Sequence, residues 1–159
     1  MSEDKAHAGD ETRALEIVRL FDAPRALVFQ AWVDPERMKR WSAPHGYSIG
    51  HNEGEVRPGA RWRSCMLSPE GEELWLGGVY REVVENERLV FTHAWERDDG
   101  TPGHETVVTV RFEDAEEGKT RMIFRQAFFE SQDDRDGHGG GWTECFERLD
   151  DLLAAETQA

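Results

Sequence analysis

The chain has 159 residues, enough for one domain with a sizeable core. Its 33 acidic and 19 basic residues leave a formal charge of −14, which excludes nucleic acid as the default partner and disfavours an anionic membrane surface, since both want a basic face. Apolar residues make up 38% and aromatics 10%, so a packed core is expected rather than global disorder.

In chain order, residues 1–12 are polar, carry no hydrophobic period and read as a disordered leader, leaving 13–157 as a single domain. Ala14 to Phe21 supplies Leu15, Ile17, Val18 and Leu20 and reads as a first strand. Asp22-Ala-Pro24 looks like a helix start with Asp22 as cap, followed by Leu27, Val28, Ala31 and Trp32 on one helical face. Asp34-Pro35 opens a second short helix carrying Met38 and Trp41 and ending before Pro44.

The period then switches to two. Tyr47, Ile49 and His51 alternate with polar residues, and Arg57-Pro-Gly-Ala60 is a turn. Arg61 to Leu67 places Trp62, Ser64 and Met66 on one face, and Ser68-Pro-Glu-Gly71 turns the chain. Leu74 to Val84 is a long strand in which Gly77-Gly78 signals a bulge or a close approach by another element. Arg88 to Trp95 puts Leu89, Phe91, His93 and Trp95 on one face; Glu105 to Phe112 does so with Val108, Val110 and Phe112; Lys119 to Phe129 with Met122, Phe124, Gln126 and Phe128. Finally Trp142, Phe146, Leu149 and Leu153 step along an amphipathic helix ending near Ala155, broadened by Cys145 and Leu152. Gly139-Gly140-Gly141 reads as a hinge or kink at its entrance.

Strands at hairpin spacing imply an α+β fold: a curved antiparallel sheet of about six or seven strands, two short helices after the first strand, and a long C-terminal helix over the concave face. No run reaches the ~18 apolar residues of a membrane span, and the N-terminus is not signal-like, which predicts a cytoplasmic protein.

The element order resembles the helix-grip, START-like (Bet v 1-like, SRPBCC) superfamily. The nearer resemblance is to bacterial single-domain homologues of the Hsp90 ATPase activator. It rests on Asp22-Ala-Pro24, Asp34-Pro35 through Trp41 and Pro44, Arg57-Pro-Gly59-Ala60-Arg-Trp62, Gly78-Val-Tyr80-Arg-Glu82, Arg88-Leu-Val-Phe91-Thr92, Thr120 to Phe124, and Gly141-Trp142. Ala60 stands where the family often has a second glycine. The resemblance implies a deep apolar cavity between sheet and terminal helix, of the kind that holds lipids, aromatic polyketides, hormones or flavonoid-like molecules.

The inward strand positions, together with Trp142 and Phe146, are therefore candidate ligand-binding residues: Trp62, Ser64, Met66, Tyr80, Phe91, His93, Trp95, Val108, Val110, Met122, Phe124 and Gln126. A few convergent polar groups in an apolar pocket are the expected form of a ligand site, and Tyr80, His93 and Gln126 would orient polar substituents. The alternative is that the same side chains fill a core. His93 is the candidate acid–base residue if it faces a ligand, and otherwise a half-buried, hydrogen-bonded histidine. His45, His104 and His138 fall in loops and His51 on the sheet; none has HxH or HExxH spacing, and Cys65 and Cys145 lack CxxC spacing, so no metal, disulfide or cofactor is expected.

The leading expectation is a binding module for a small hydrophobic molecule, aromatic or lipid-like, acting as a monomer or weak homodimer rather than as an enzyme. The alternatives are a co-chaperone-like contact with Hsp90, and an enzyme of the polyketide cyclase or dehydratase kind with His93 as base.

Overall fold

A computed structural model describes residues 13–157, so the leader expected over 1–12 lies outside the described residues. The strands are β1 (Leu15–Phe21), β2 (Ser48–Gly54), β3 (Arg61–Leu67), β4 (Glu73–Val84), β5 (Arg88–Trp95), β6 (Thr106–Asp114) and β7 (Thr120–Ala127). The helices are α1 (Arg25–Val33), α2 (Pro35–Trp41) and α3 (Gln132–Thr157), with a 3-10 turn at Glu116–Gly118. All strand pairs are antiparallel in one seven-stranded sheet of order β1-β7-β6-β5-β4-β3-β2. This is the helix-grip arrangement, with α3 gripped by the curved sheet.

Short turns fix most of this order: links of three to six residues join β2–β3, β3–β4, β4–β5 and β6–β7, and a short link leaves the next strand only a neighbouring position. The exception is β1, which sits beside β7 with Ile17 opposite Phe124. Between β1 and β2 the chain crosses the sheet as α1 and α2. Asp34 accepts the Glu36 N–H at 3.1 Å, Pro35 occupies the first turn, and Lys39 and Arg40 lie in the last turn of α2. A cap of this kind stabilises by about 1 kcal/mol, and the basic residues suit the negative end of the helix dipole. Trp41 Nε1 donates to Ala31 O at 2.8 Å, fastening α2 to α1.

Two helix starts differ from the sequence expectation. Asp22 does not cap α1: the N-cap is Pro24, in extended conformation, whose carbonyl accepts from Leu27 and Val28 N–H without any side-chain cap. The glycine run is not an entrance to the last helix but lies inside it, since α3 begins ten residues before Trp142, at Gln132. Ser131 Oγ accepts the Asp134 N–H at 3.1 Å, and Asp133 and Asp134 stand in the first turn. That Ser-x-x-Asp pattern is a helix start that apolar periodicity does not reveal. His138 consequently sits on α3 rather than in a loop.

Each glycine inside a helix costs about 0.5–1 kcal/mol relative to alanine. Two of those in α3 face a neighbour: a Cβ on Gly139 would lie 3.1 Å from Leu15 Cδ1, and one on Gly141 would lie 3.6 Å from Pro44 Cγ. The Gly77-Gly78 signal resolves as a close approach. A Cβ on Gly78 would collide with Thr92 O, while the register shift of β4 against β5 falls further on, between Tyr80 and Glu82.

The core sits between α1, α3 and strands β5–β7. Trp32 is its hub, with ring centroids of Trp41, Phe91, Phe124, Trp142 and Phe146 between 4.7 and 6.4 Å away. Such contacts add to the burial of about 150–250 Å² that each large ring typically contributes. Among the described residues, no helix is long and apolar enough to cross a membrane.

Candidate functional site

Toward the β2–β4 end the core opens into two adjoining chambers. The inner one, about 70 Å³, is walled by α1 and α2 (Trp32, Val33, Pro35, Met38), by β3–β5 (Trp62, Ser64, Met66, Leu76, Tyr80, Phe91, His93) and by Trp142 of α3. Ser42, Val56 and, on β2, Ile49, Asn52, Glu53 and Gly54 complete it. The outer one, about 310 Å³, lies between Ser42, Pro44 and Tyr47 on one side and Gly137, His138, Gly141, Trp142 and Cys145 on the other, with Leu74, Leu76, Met66, His93 and Trp95 of the sheet as its floor. The chambers share Ser42, Met66, Leu76, His93 and Trp142. A third recess of about 250 Å³ behind His93 and His138 is rimmed by Glu96, Arg97, Glu130 and Asp134.

The loop between α2 and β2 is held against α3 by Arg148, whose Nη1 donates to Ala43 O at 2.6 Å and Tyr47 O at 3.2 Å. His45 adds a 2.9 Å contact to Glu147. The outer wall is thus tied to the helix that it faces.

Eight of the residues expected from the sequence stand on chamber walls: Trp62, Ser64, Met66, Tyr80, Phe91, His93, Trp95 and Trp142. Six do not. Val108, Val110, Met122, Phe124, Gln126 and Phe146 are wholly buried in the packed core, where Trp32 and α3 press on β6 and β7. Alternation identified the right face of the sheet but not which part of that face is covered. Missing from the sequence reading are the walls given by α1, α2, β2 and the glycine turns of α3, whose pattern signals only helix or strand.

Several polar groups of the site are already satisfied. Gln126 Nε2 donates to Thr106 Oγ1 and its Oε1 accepts from Trp142 Nε1, both at 2.8 Å. Trp62 Nε1 donates to Thr92 O at 3.2 Å and Ser64 Oγ to His51 O at 3.1 Å. His138 Nδ1 is 2.7 Å from Asp134 O and its Nε2 accepts from Trp95 Nε1 at 3.0 Å, which assigns the neutral Nδ1–H tautomer.

Others are not. Among the described residues Trp32 Nε1 is buried without an acceptor. Among the described residues neither the Tyr80 hydroxyl nor the His93 imidazole has a hydrogen bond to another residue's side chain. Burial pushes the Tyr80 phenol up to about 12. Burial, with His138 nearby as a lesser cause, holds His93 down to about 3. At neutral pH both are therefore uncharged, and an imidazole so weakly basic is far from the near-neutral value a general base wants. Its chemistry here is to donate one hydrogen bond and accept another. Cys145 is likewise pushed up to about 12 by burial and is no nucleophile at neutral pH. Among the described residues no group of His, Cys, Asp and Glu could hold a metal.

The model of the family described as "Activator of Hsp90 ATPase homolog 1-like protein" matches residues 22–154. The chain belongs to this family. It is similar to the crystal structure of the AHSA1 protein of Silicibacter pomeroyi, with 25% identity and a TM-score of 0.82, covering 90% of this chain and 99% of that one. A protein of Nitrosomonas europaea superimposes with TM-score 0.77 at 25% identity, covering 92% and 97% of the two chains. An Arthrobacter aurescens protein solved by NMR does so with TM-score 0.79 at 25% identity, covering 91% and 88%. No curated protein matches this AHSA1-like chain.

Proposed function

We propose that this AHSA1-like protein binds a small hydrophobic molecule, aromatic or lipid-like, in the paired chambers between sheet and α3, and does so in the cytoplasm. The observation that carries this reading is the outer chamber. Its volume of about 310 Å³ falls at the lower end of the roughly 300–1,000 Å³ usual for ligand sites, and its walls are mainly aromatic and aliphatic. Burying a ring system there gains about 25 cal/mol per Å² of apolar surface removed from water.

The test is a titration of the ¹⁵N-labelled protein with a flavonoid and fatty-acid panel, following the tryptophan indole resonances. Shifts of Trp32, Trp62, Trp95 and Trp142, with Trp75 unmoved, are expected. A panel that leaves all of them in place sinks the proposal.

A second reading, contact with an Hsp90-type chaperone, draws on the family and on Val18 and Leu20, which are 57% and 51% exposed on edge strand β1. Stimulation of a chaperone ATPase that disappears in a Val18→Ser, Leu20→Ser double variant would support it. An unchanged ATPase rate with the wild-type protein would remove it.

A further inference from the structure

Among the described residues the inner chamber is walled by one side chain with a buried polar atom that lacks a partner, Trp32, and by the polar side chains of Tyr80 and His93 beside it. Trp32 is 1% exposed, its indole N–H has no acceptor, and it stands on the chamber wall. Tyr80 is 6% and His93 5% exposed, on the same wall. A buried donor left without an acceptor is costly, so the Trp32 indole, with two further polar groups beside it on the wall of one small space, points to something that occupies it.

The charges around them are one-sided. Among the described residues neither chamber is lined by an arginine or lysine, and the only formally charged side chain is Glu53, on β2. The protein as a whole carries −14. A carboxylate entering here would be stripped of water with no cation among the lining residues to meet it, which disfavours its binding. The indole N–H is a donor only, so it calls for an acceptor, and a bare hydrocarbon supplies none.

Size divides the ligand in two. About 70 Å³ is room for a few atoms, while about 310 Å³ next door, sharing five wall residues, is room for a ring-sized body. We infer that the inner chamber takes the uncharged oxygen acceptor, of the carbonyl kind, of a ligand whose apolar body lies in the outer chamber, and that Trp32 donates to that oxygen. Tyr80 is placed to give a second hydrogen bond, and neutral His93, on the boundary between the chambers, to pair with a further polar substituent. This deepens the binding reading above and rests on it.

Four probes of one shape test it: naphthalene, 2-acetylnaphthalene, 2-naphthoate and 2-naphthylmethylammonium, each titrated by intrinsic fluorescence and by ¹H–¹⁵N NMR. The methyl ketone is expected to bind roughly tenfold or more tightly than the hydrocarbon and than either ion, and to move the Trp32 indole N–H resonance downfield. In Trp32→Phe the ketone should lose that advantage, its Kd coming within about twofold of naphthalene's. The matched series on the wild-type protein remains decisive even if that variant folds poorly. Equal binding of ketone and hydrocarbon overturns the inference while leaving the cavity reading intact. Tighter binding of the carboxylate or of the ammonium overturns it too. If none of the four binds, both the inference and the binding reading fall.

Discussion

Trp142 of α3 donates its indole N–H to Oε1 of Gln126 on β7 at 2.8 Å, inside the core. The amide's other end is taken by Thr106 Oγ1, also at 2.8 Å. Gln126 is 0% exposed, so these two bonds satisfy a group with no access to water. They also hold in place the ring that walls both chambers.

Gln126→Leu should therefore cost more than a surface change. Removing the amide leaves the Trp142 N–H without its acceptor and Thr106 without its donor, a penalty of about 1–3 kcal/mol. Urea unfolding would read it as a lowered midpoint with an unchanged slope. The freed indole should also weaken ligand binding, whereas Arg121→Gln on the outer face of the same strand should change neither.

His93 makes stability depend on pH. Its folded value of about 3 lies below the ~6.5 of an unfolded-chain imidazole, so between those values the unfolded chain binds the extra proton. The contribution of His93 is then full above about pH 6.5 and is lost as the pH falls toward 3, with a limiting slope of about 1.4 kcal/mol per pH unit. Glu96 and Glu156, held below the usual carboxylate range by hydrogen bonds from Arg63 and Arg37, act only at lower pH. Between about pH 6.5 and 5, wild type should thus lose roughly 1–2 kcal/mol more than His93→Phe. Parallel urea series at the two pH values check this; equal losses in both proteins would show that His93 does not carry the effect.

The thiols should be silent in the native state. Cys145 is 4% exposed and Cys65 3% exposed, and burial raises both. The reactive species is the thiolate, so a thiol reagent at about pH 8 should label neither until the protein unfolds. Labelling in rising urea is expected to track the unfolding transition. Fast native-state labelling of Cys145 would mean that the outer chamber, which it lines, opens wide enough to admit the reagent.

The sheet was legible because period-two alternation and hairpin turns are local properties. Trp62, Ser64 and Met66 face inward as their spacing implies, and β3 spans the residues expected, Arg61–Leu67. The first turns of α3 were not legible. From Gln132 to Gly141 no apolar residue repeats, and glycine weakens a helix, so only Ser131 and Asp134 marked its start. The same limit governs the site. That Phe124 and Trp62 share the concave face is written in alternation; that Trp32 and Phe146 bury the one while the other borders free space depends on how α1 and α3 cross the sheet.

The glycines give the sharpest test of that packing, because identical substitutions should differ in sign. Nothing lies within 4 Å of a Cβ built on Gly140, so Gly140→Ala should stabilise α3 by about 0.5–1 kcal/mol. On Gly139 the same methyl comes to 3.1 Å from Leu15 Cδ1, so Leu15 must give way and the gain should shrink or reverse. On Gly78 it would collide with the Thr92 carbonyl oxygen and come to 2.7 Å from Thr92 Oγ1. Backbone cannot rotate aside as a leucine tip can, and Thr92 is further held by the Val79 N–H to its Oγ1 at 2.8 Å and the Trp62 indole to its carbonyl at 3.2 Å. Gly78→Ala should accordingly part β4 from β5 and cost about 3 kcal/mol or more, in the range that marks strain or overpacking. Thermal unfolding of the three variants would rank them Gly140→Ala, Gly139→Ala, Gly78→Ala from most to least stable, and any other order would mean that α3 or β5 runs elsewhere.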